Sequence, residues 1–149
     1  MSNGVVDSGY YEAQRRGVED TYAAGMAQNA FSRTLSQTRG NRSLADMSRG
    51  FQRALPTFTS SFGQRGFGGG EVRSGVMQQS MGNYLGDFTR DYGNAQNDLT
   101  NELRGYDVQD ATLGAQRTGS LADIELARNR EIAFAAQNIE ALRAMLGGL

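Results

Sequence analysis

The sequence predicts an all-α chain of extended long helices, a helical hairpin or bundle completed within an oligomer, and no compact stand-alone globule. Three observations predict it. Apolar residues recur at helical spacing along most of the chain, with a break marked by glycines near the middle. The composition of the 149 residues, 38% hydrophobic with 20 Gly and 1 Pro, is too apolar and periodic for disorder and too polar and glycine-rich for a self-sufficient core. The longest periodic stretch also keeps a line of glycines opposite its apolar face.

Taken in order, the first element is a helix from about Ser8 to Gln37. Tyr11, Val18, Tyr22 and Met26 fall on one face, and Ala24, Ala27, Phe31 and Leu35 on another, which implies contacts on two sides. Glu12 precedes Arg15 and Arg16 at the spacing that supports an exposed helical face. Arg39-Gly40-Asn41 reads as a break. Ser43 then caps a short helix with Leu44, Met47, Phe51 and Leu55 at helical spacing, and Pro56 ends it by pushing residue 55 out of the helical region. Residues 57–70 read as a loop or hinge rich in Phe and Gly. The expected organisation is therefore an N-terminal helical region over 1–56, the hinge over 57–70 and a long helical region over 71–149.

The second region is the more regular. Met77, Met81, Tyr84, Phe88, Tyr92, Ala95, Leu99, Leu103 and Tyr106 repeat every eleven residues. Such a repeat corresponds to ~3.67 residues per turn and a straight or weakly right-handed pack. One long helix is expected over 72–108. The apolar register lapses near Asp107 to Gly119, where Gly114 and Thr118-Gly119-Ser120 could interrupt or bend the helix, so both a break near 107–120 and a continuous helix stay open. The register resumes at Leu121, Ile124, Ile132, Ala135, Ile139, Leu142 and Leu146 and stops at Gly147-Gly148. Arg128 falls inside this stripe, where a charge snorkels to a rim or meets a carboxylate across an interface. Unbroken, a helix from 72 to 146 would run roughly 110 Å at ~1.5 Å per residue.

Gly75, Gly82, Gly86 and Gly93 form one line on the side opposite the apolar face. Each interior glycine costs a helix roughly 1 kcal/mol relative to Ala. A smooth strip in return lets a neighbouring backbone approach closely, as small residues do between membrane helices. The reading is a helix sandwiched between two neighbours; the plain alternative is a flexible solvent face.

Composition closes most routes to catalysis. Cys, His, Trp and Lys are absent, so all 15 basic residues are Arg. The chain lacks a thiol nucleophile, an imidazole base or ligand, a Schiff-base amine and a phosphate-loop lysine. No catalytic residue, cofactor site or metal site is assigned, and no small-molecule substrate is expected. The carboxylate pairs Glu19-Asp20, Asp87/Asp91 and Asp107/Asp110 read as solvated helical faces beside Arg16 and Arg90. Gly66-Phe67-Gly68-Gly69-Gly70 lacks a preceding strand and a following Lys-Ser/Thr, so it reads as a hinge. No run reaches the ~18 apolar residues of a membrane span. The start Met1-Ser2-Asn3-Gly4-Val5-Val6-Asp7 lacks the basic and apolar regions of a signal peptide, so a soluble chain outside the usual export route is expected.

Charge is unevenly placed. Thr21 to Gly70 holds six Arg against Asp46, a net of +5, and from Glu71 onward seven Arg face eleven acids, a net of −4. The asymmetry suggests that the two halves meet different partners or each other's neighbours. Arg49, Phe51, Arg53, Phe58, Phe62, Arg65 and Phe67 interleave guanidinium groups with rings. They read as an arm whose phenylalanines plug into a partner subunit, or one that touches nucleic acid weakly, without reading its sequence and with strong salt sensitivity. Amides such as Gln78, Gln79, Asn83, Asn94, Gln96, Asn97, Asn101 and Gln137 satisfy interfaces without burying charge.

From Gly68 to about Leu146 the chain resembles internal and ejection-associated virion proteins of tailed bacteriophages. The resemblance lies in Gly68-Gly69-Gly70-Glu71-Val72-Arg73-Ser74-Gly75, in the helix with Tyr84 and Asp91-Tyr92, and in Gly114-Ala115-Gln116-Arg117-Thr118-Gly119. It implies a structural, non-catalytic virion component, present in many copies at the portal, tail or DNA-ejection channel. Its implied partners are copies of itself and other virion proteins, with weak non-specific contact to DNA, and it would be made in the host cytoplasm. A head-to-tail connector or tail accessory subunit is the first alternative. A bacterial filament or secretion-apparatus subunit is the second.

Overall fold

A computed structural model describes residues 8–64 and 71–147 of the chain, with side chains over 8–62 and 75–147. Every described residue is helical: α1 spans Ser8–Gln64 and α2 spans Glu71–Gly147. The chain is all-α, as expected. It divides into two compact units, one of residues 1–30 with 107–149, the other of residues 31–106.

In the first unit the N-terminal part of α1 packs antiparallel on the C-terminal part of α2. Tyr11 meets Glu131, Glu19 meets Arg117 and Asn29 meets Asp110, so numbers rise along one helix as they fall along the other. The second unit pairs the rest of α1 with the start of α2 in the same sense. Ser36 meets Tyr106, Phe51 meets Phe88 and Phe58 meets Tyr84.

The two expected breaks are helix instead, and so is the stretch near 107–120 where the sequence leaves a break open. The helix runs through Gly40, and Leu99 occupies the space above it. A Cβ at position 40 would fall 2.7 Å from Leu99 Cδ2 and 3.0 Å from its Cγ, so any larger residue would displace that leucine from its place. Pro56 lies inside α1 rather than at its end. A proline there leaves a carbonyl one turn back without its amide. Phe51 and Phe58, on either side of it, both stack on α2 and hold the segment helical. The hydroxyls of Thr59, Ser60 and Ser61 donate to the carbonyls of Pro56, Thr57 and Phe58. Residues 57–64 are therefore helix, not loop. Arg65, Phe67 and the glycines 66 and 68–70 lie outside the described residues.

The stretch near 107–120, open between a break and a continuous helix, is continuous helix. Thr118 donates its hydroxyl to Gly114 O within the helix. The eleven-residue register does not lapse there but changes chemistry. Leu99, Leu103 and Tyr106 are followed eleven residues on by Asp110, Gly114 and Arg117, and all six are half-buried on one face. α1 carries the same period. Val18, Asn29, Gly40, Phe51 and Phe62 form one series, Tyr22, Arg33, Leu44 and Leu55 a second, and Gly25, Ser36, Met47 and Phe58 a third. All thirteen are buried or half-buried. Within each unit, two helices of equal period keep their facing sides in contact without drifting apart.

Candidate assembly surfaces

The seam of the first unit is polar at three levels. Arg117 donates from Nε and Nη2 to the two carboxylate oxygens of Glu19, both at 2.7 Å, a fork-on-fork geometry that fixes register as well as charge. Its Cζ lies 5.1 Å from the Tyr22 ring centroid. The hydrogen bonds from Arg117 hold the Glu19 carboxyl below its ordinary range, and Glu19 in turn raises the Arg117 guanidinium. One level along, Asn29, among the most buried residues at 6% exposed, donates from Nδ2 to Asp110 Oδ1. On the other side of the Glu19 level, the Tyr11 hydroxyl donates to Glu131 Oε2 at 2.5 Å, and that bond raises its pKa. Between the first two levels Leu113 sits over Gly25, whose Cβ would lie 3.2 Å from both its methyls. Beside these residues runs an open groove of about 610 Å³ lined by Val18, Tyr22, Leu113, Arg117 and Ile124.

This seam is invisible to a pattern of apolar residues, because its facing positions are polar. The signal was present: counting eleven from Leu99 and Tyr106 lands on Asp110 and Arg117.

The seam of the second unit is aromatic. Phe51 stacks on Phe88 with centroids 4.1 Å apart and on Tyr84 at 5.2 Å, and Phe58 stacks on Tyr84 at 4.9 Å. Phe62 meets Phe58 edge-on, and Tyr92 lies beside Phe88. The residues expected as the apolar face of α2, Met77, Met81, Tyr84, Phe88, Tyr92, Leu99, Leu103 and Tyr106, are all half-buried. The expected arm is divided by the structure. Phe51 and Phe58 are occupied by rings of the same chain, a correction to their reading as free plugs: α1 is helical there and turns them onto α2. Arg49, paired with Asp46 at 3.0 Å, and Arg53 are exposed.

On the outer side, Gly75, Gly82 and Gly86 are exposed, Gly93 is half-buried, and none has an atom within 4 Å of where a Cβ would stand. Among the described residues no neighbouring backbone uses the glycine line. Of the second α1 face, Phe31 is 71% exposed and Leu35 is exposed as well. Asp87 and Asp91 both pair with Arg90 on the surface, the solvated arrangement expected of them. Among the described residues no cluster of three metal-capable side chains occurs, and no described helix is long and apolar enough to cross a membrane.

Compared with protein-family models, with curated proteins and with solved structures, the chain finds no match in any of the three.

Proposed function

We propose that the chain is a non-catalytic structural virion subunit of a tailed bacteriophage, a multi-copy helical component of the DNA-ejection channel or of the portal and tail region. The observation that carries the assembly part of this reading is the thinness of the core. Among the described residues, helices of 57 and 77 residues bury a single hydrophobic side chain, Tyr11, while Phe31, Phe134, Leu142, Met145 and Leu146 stand more than half exposed. Exposed apolar surface on this scale marks sites of association. The phage part rests on the resemblance over residues 68–146.

In this reading the helices of several copies brace or line a conduit and the outer faces meet neighbouring copies, portal, tail or ejection proteins. Exposed Arg49 and Arg53 supply weak contact to DNA. Mass measurement of the purified chain across a concentration series tests it: a multimer is expected, and a folded monomer at every concentration refutes it. Imaging of the multimer separates a closed ring from an open filament, and the filament would favour the bacterial filament or secretion-apparatus reading. DNA binding that disappears at moderate salt favours the channel over a head-to-tail connector.

A further inference from the structure

We propose that the C-terminal end of α2 is the contact between copies, a short parallel two-stranded coiled coil formed by Ile132, Ala135, Ile139, Leu142 and Leu146 from two chains. The inference rests on the multi-copy reading above and names the surface that would produce it.

Its first ground is continuity with an interface already in place. At ~100° per residue these five side chains lie on the side of α2 that carries Arg117, Leu121 and Ile124 against α1. Tyr11 meets Glu131, and past Ala135 every α2 residue to Gly147 is exposed. Ile139, Leu142 and Leu146 are exposed by 50%, 58% and 71%. The apolar seam therefore outruns the described part of its intrachain partner.

The second ground is a change of period. Within the chain both helices follow the eleven-residue repeat, whereas residues 132, 135, 139, 142 and 146 are spaced 3, 4, 3 and 4, a seven-residue repeat. Seven-residue seams wind left-handed and eleven-residue seams do not, so a partner must share the seven-residue period to stay in register. A second copy of the same segment does so by identity. Isoleucine at the first core position of each heptad, 132 and 139, with Leu142 at the fourth favours two parallel strands. In that arrangement the flanking positions bring Glu131 opposite Ala136 and Asn138 opposite Arg143 of the other copy, with no like charges facing. A free two-heptad peptide would not hold a helix, but here the preceding turns of α2 have already met the cost of nucleation.

The test uses the full chain. Sedimentation of wild type and of the double variant Ile139→Asp/Leu142→Asp across a concentration series is compared, with helix content read by circular dichroism. The replaced side chains are exposed in the single chain, so helicity is expected to hold while association weakens about 100-fold or more. A wild-type multimer that the double variant leaves unchanged overturns this contact and leaves the assembly reading intact. A wild-type monomer overturns both. Because the chain has no cysteine, Leu142→Cys adds a direct reading of geometry: facing core positions in a parallel pair give a disulfide-linked dimer under mild oxidation. Failure to cross-link in a wild-type-like multimer overturns the parallel pairing, as would cover of this face by residues 1–7 or by another protein.

Discussion

Replacing Gly40 by Ala should destabilise the chain, although alanine is the better helix former. Two terms compete. The propensity gain is about 1 kcal/mol in favour of Ala. Against it, the new Cβ would stand 2.7 Å from Leu99 Cδ2 and 3.0 Å from Cγ, closer still to Cδ1, so Leu99 must leave its rotamer or the helices must part. Overpacking of this kind costs about 1–3 kcal/mol. Gly105, on the same unit, has nothing within 4 Å of its Cβ position, so Gly105→Ala takes the propensity gain alone. The two variants should therefore differ by about 1–3 kcal/mol, or several degrees in Tm for a chain of this length. In a Leu99→Ala background the obstruction is gone and Gly40→Ala should stabilise by about 1 kcal/mol. Urea unfolding followed by circular dichroism at 222 nm gives all four legs of the cycle. Equal stabilisation by Gly40→Ala and Gly105→Ala, with no coupling to Leu99, would refute the close approach.

Three further outcomes are expected. The Glu19 carboxyl is held below its unfolded value of 4.5 by Arg117, so its contribution to stability is present above that pH and is lost as pH falls through the folded value; the stability gap between wild type and Glu19→Gln should accordingly close on acidification, and a gap that persists at low pH would contradict it. Tyr11 is raised above 10.0 by donating to Glu131, so its contribution is full below that pH and is lost as pH rises through the folded value; the spectrophotometric titration of tyrosine should show one late ionisation that Tyr11→Phe removes. Pro56→Ala should stabilise the second unit by roughly 1–3 kcal/mol, since it restores an amide donor and relieves the ring's clash one turn back, and unchanged urea unfolding would argue against a continuous helix there.

How much of this fold could be read from the chain alone depends on what each seam position faces. Residues 72–108 were legible as one helix with one buried face because every position of their repeat carries an apolar side chain except the small Ala95, and periodicity alone then reports the period and the side. Position 40 was not legible, because a glycine in isolation means a break and only the leucine opposite turns it into a socket. Nor was Arg117, which looks like surface until Glu19 is placed against it. Pro56 misled for a different reason: its local cost is real, and the ring stacks of Phe51 and Phe58 outweigh it.

By itself, then, the sequence determined the helical class, the eleven-residue period and the face of α2 that packs inward, since these follow from repetition along one strand. The continuity of both helices, the antiparallel register within each unit and the division into a polar and an aromatic seam were decided only by tertiary structure. Each depends on complementarity across a pair, small against large and carboxylate against guanidinium, and a single strand holds only half of every such pair.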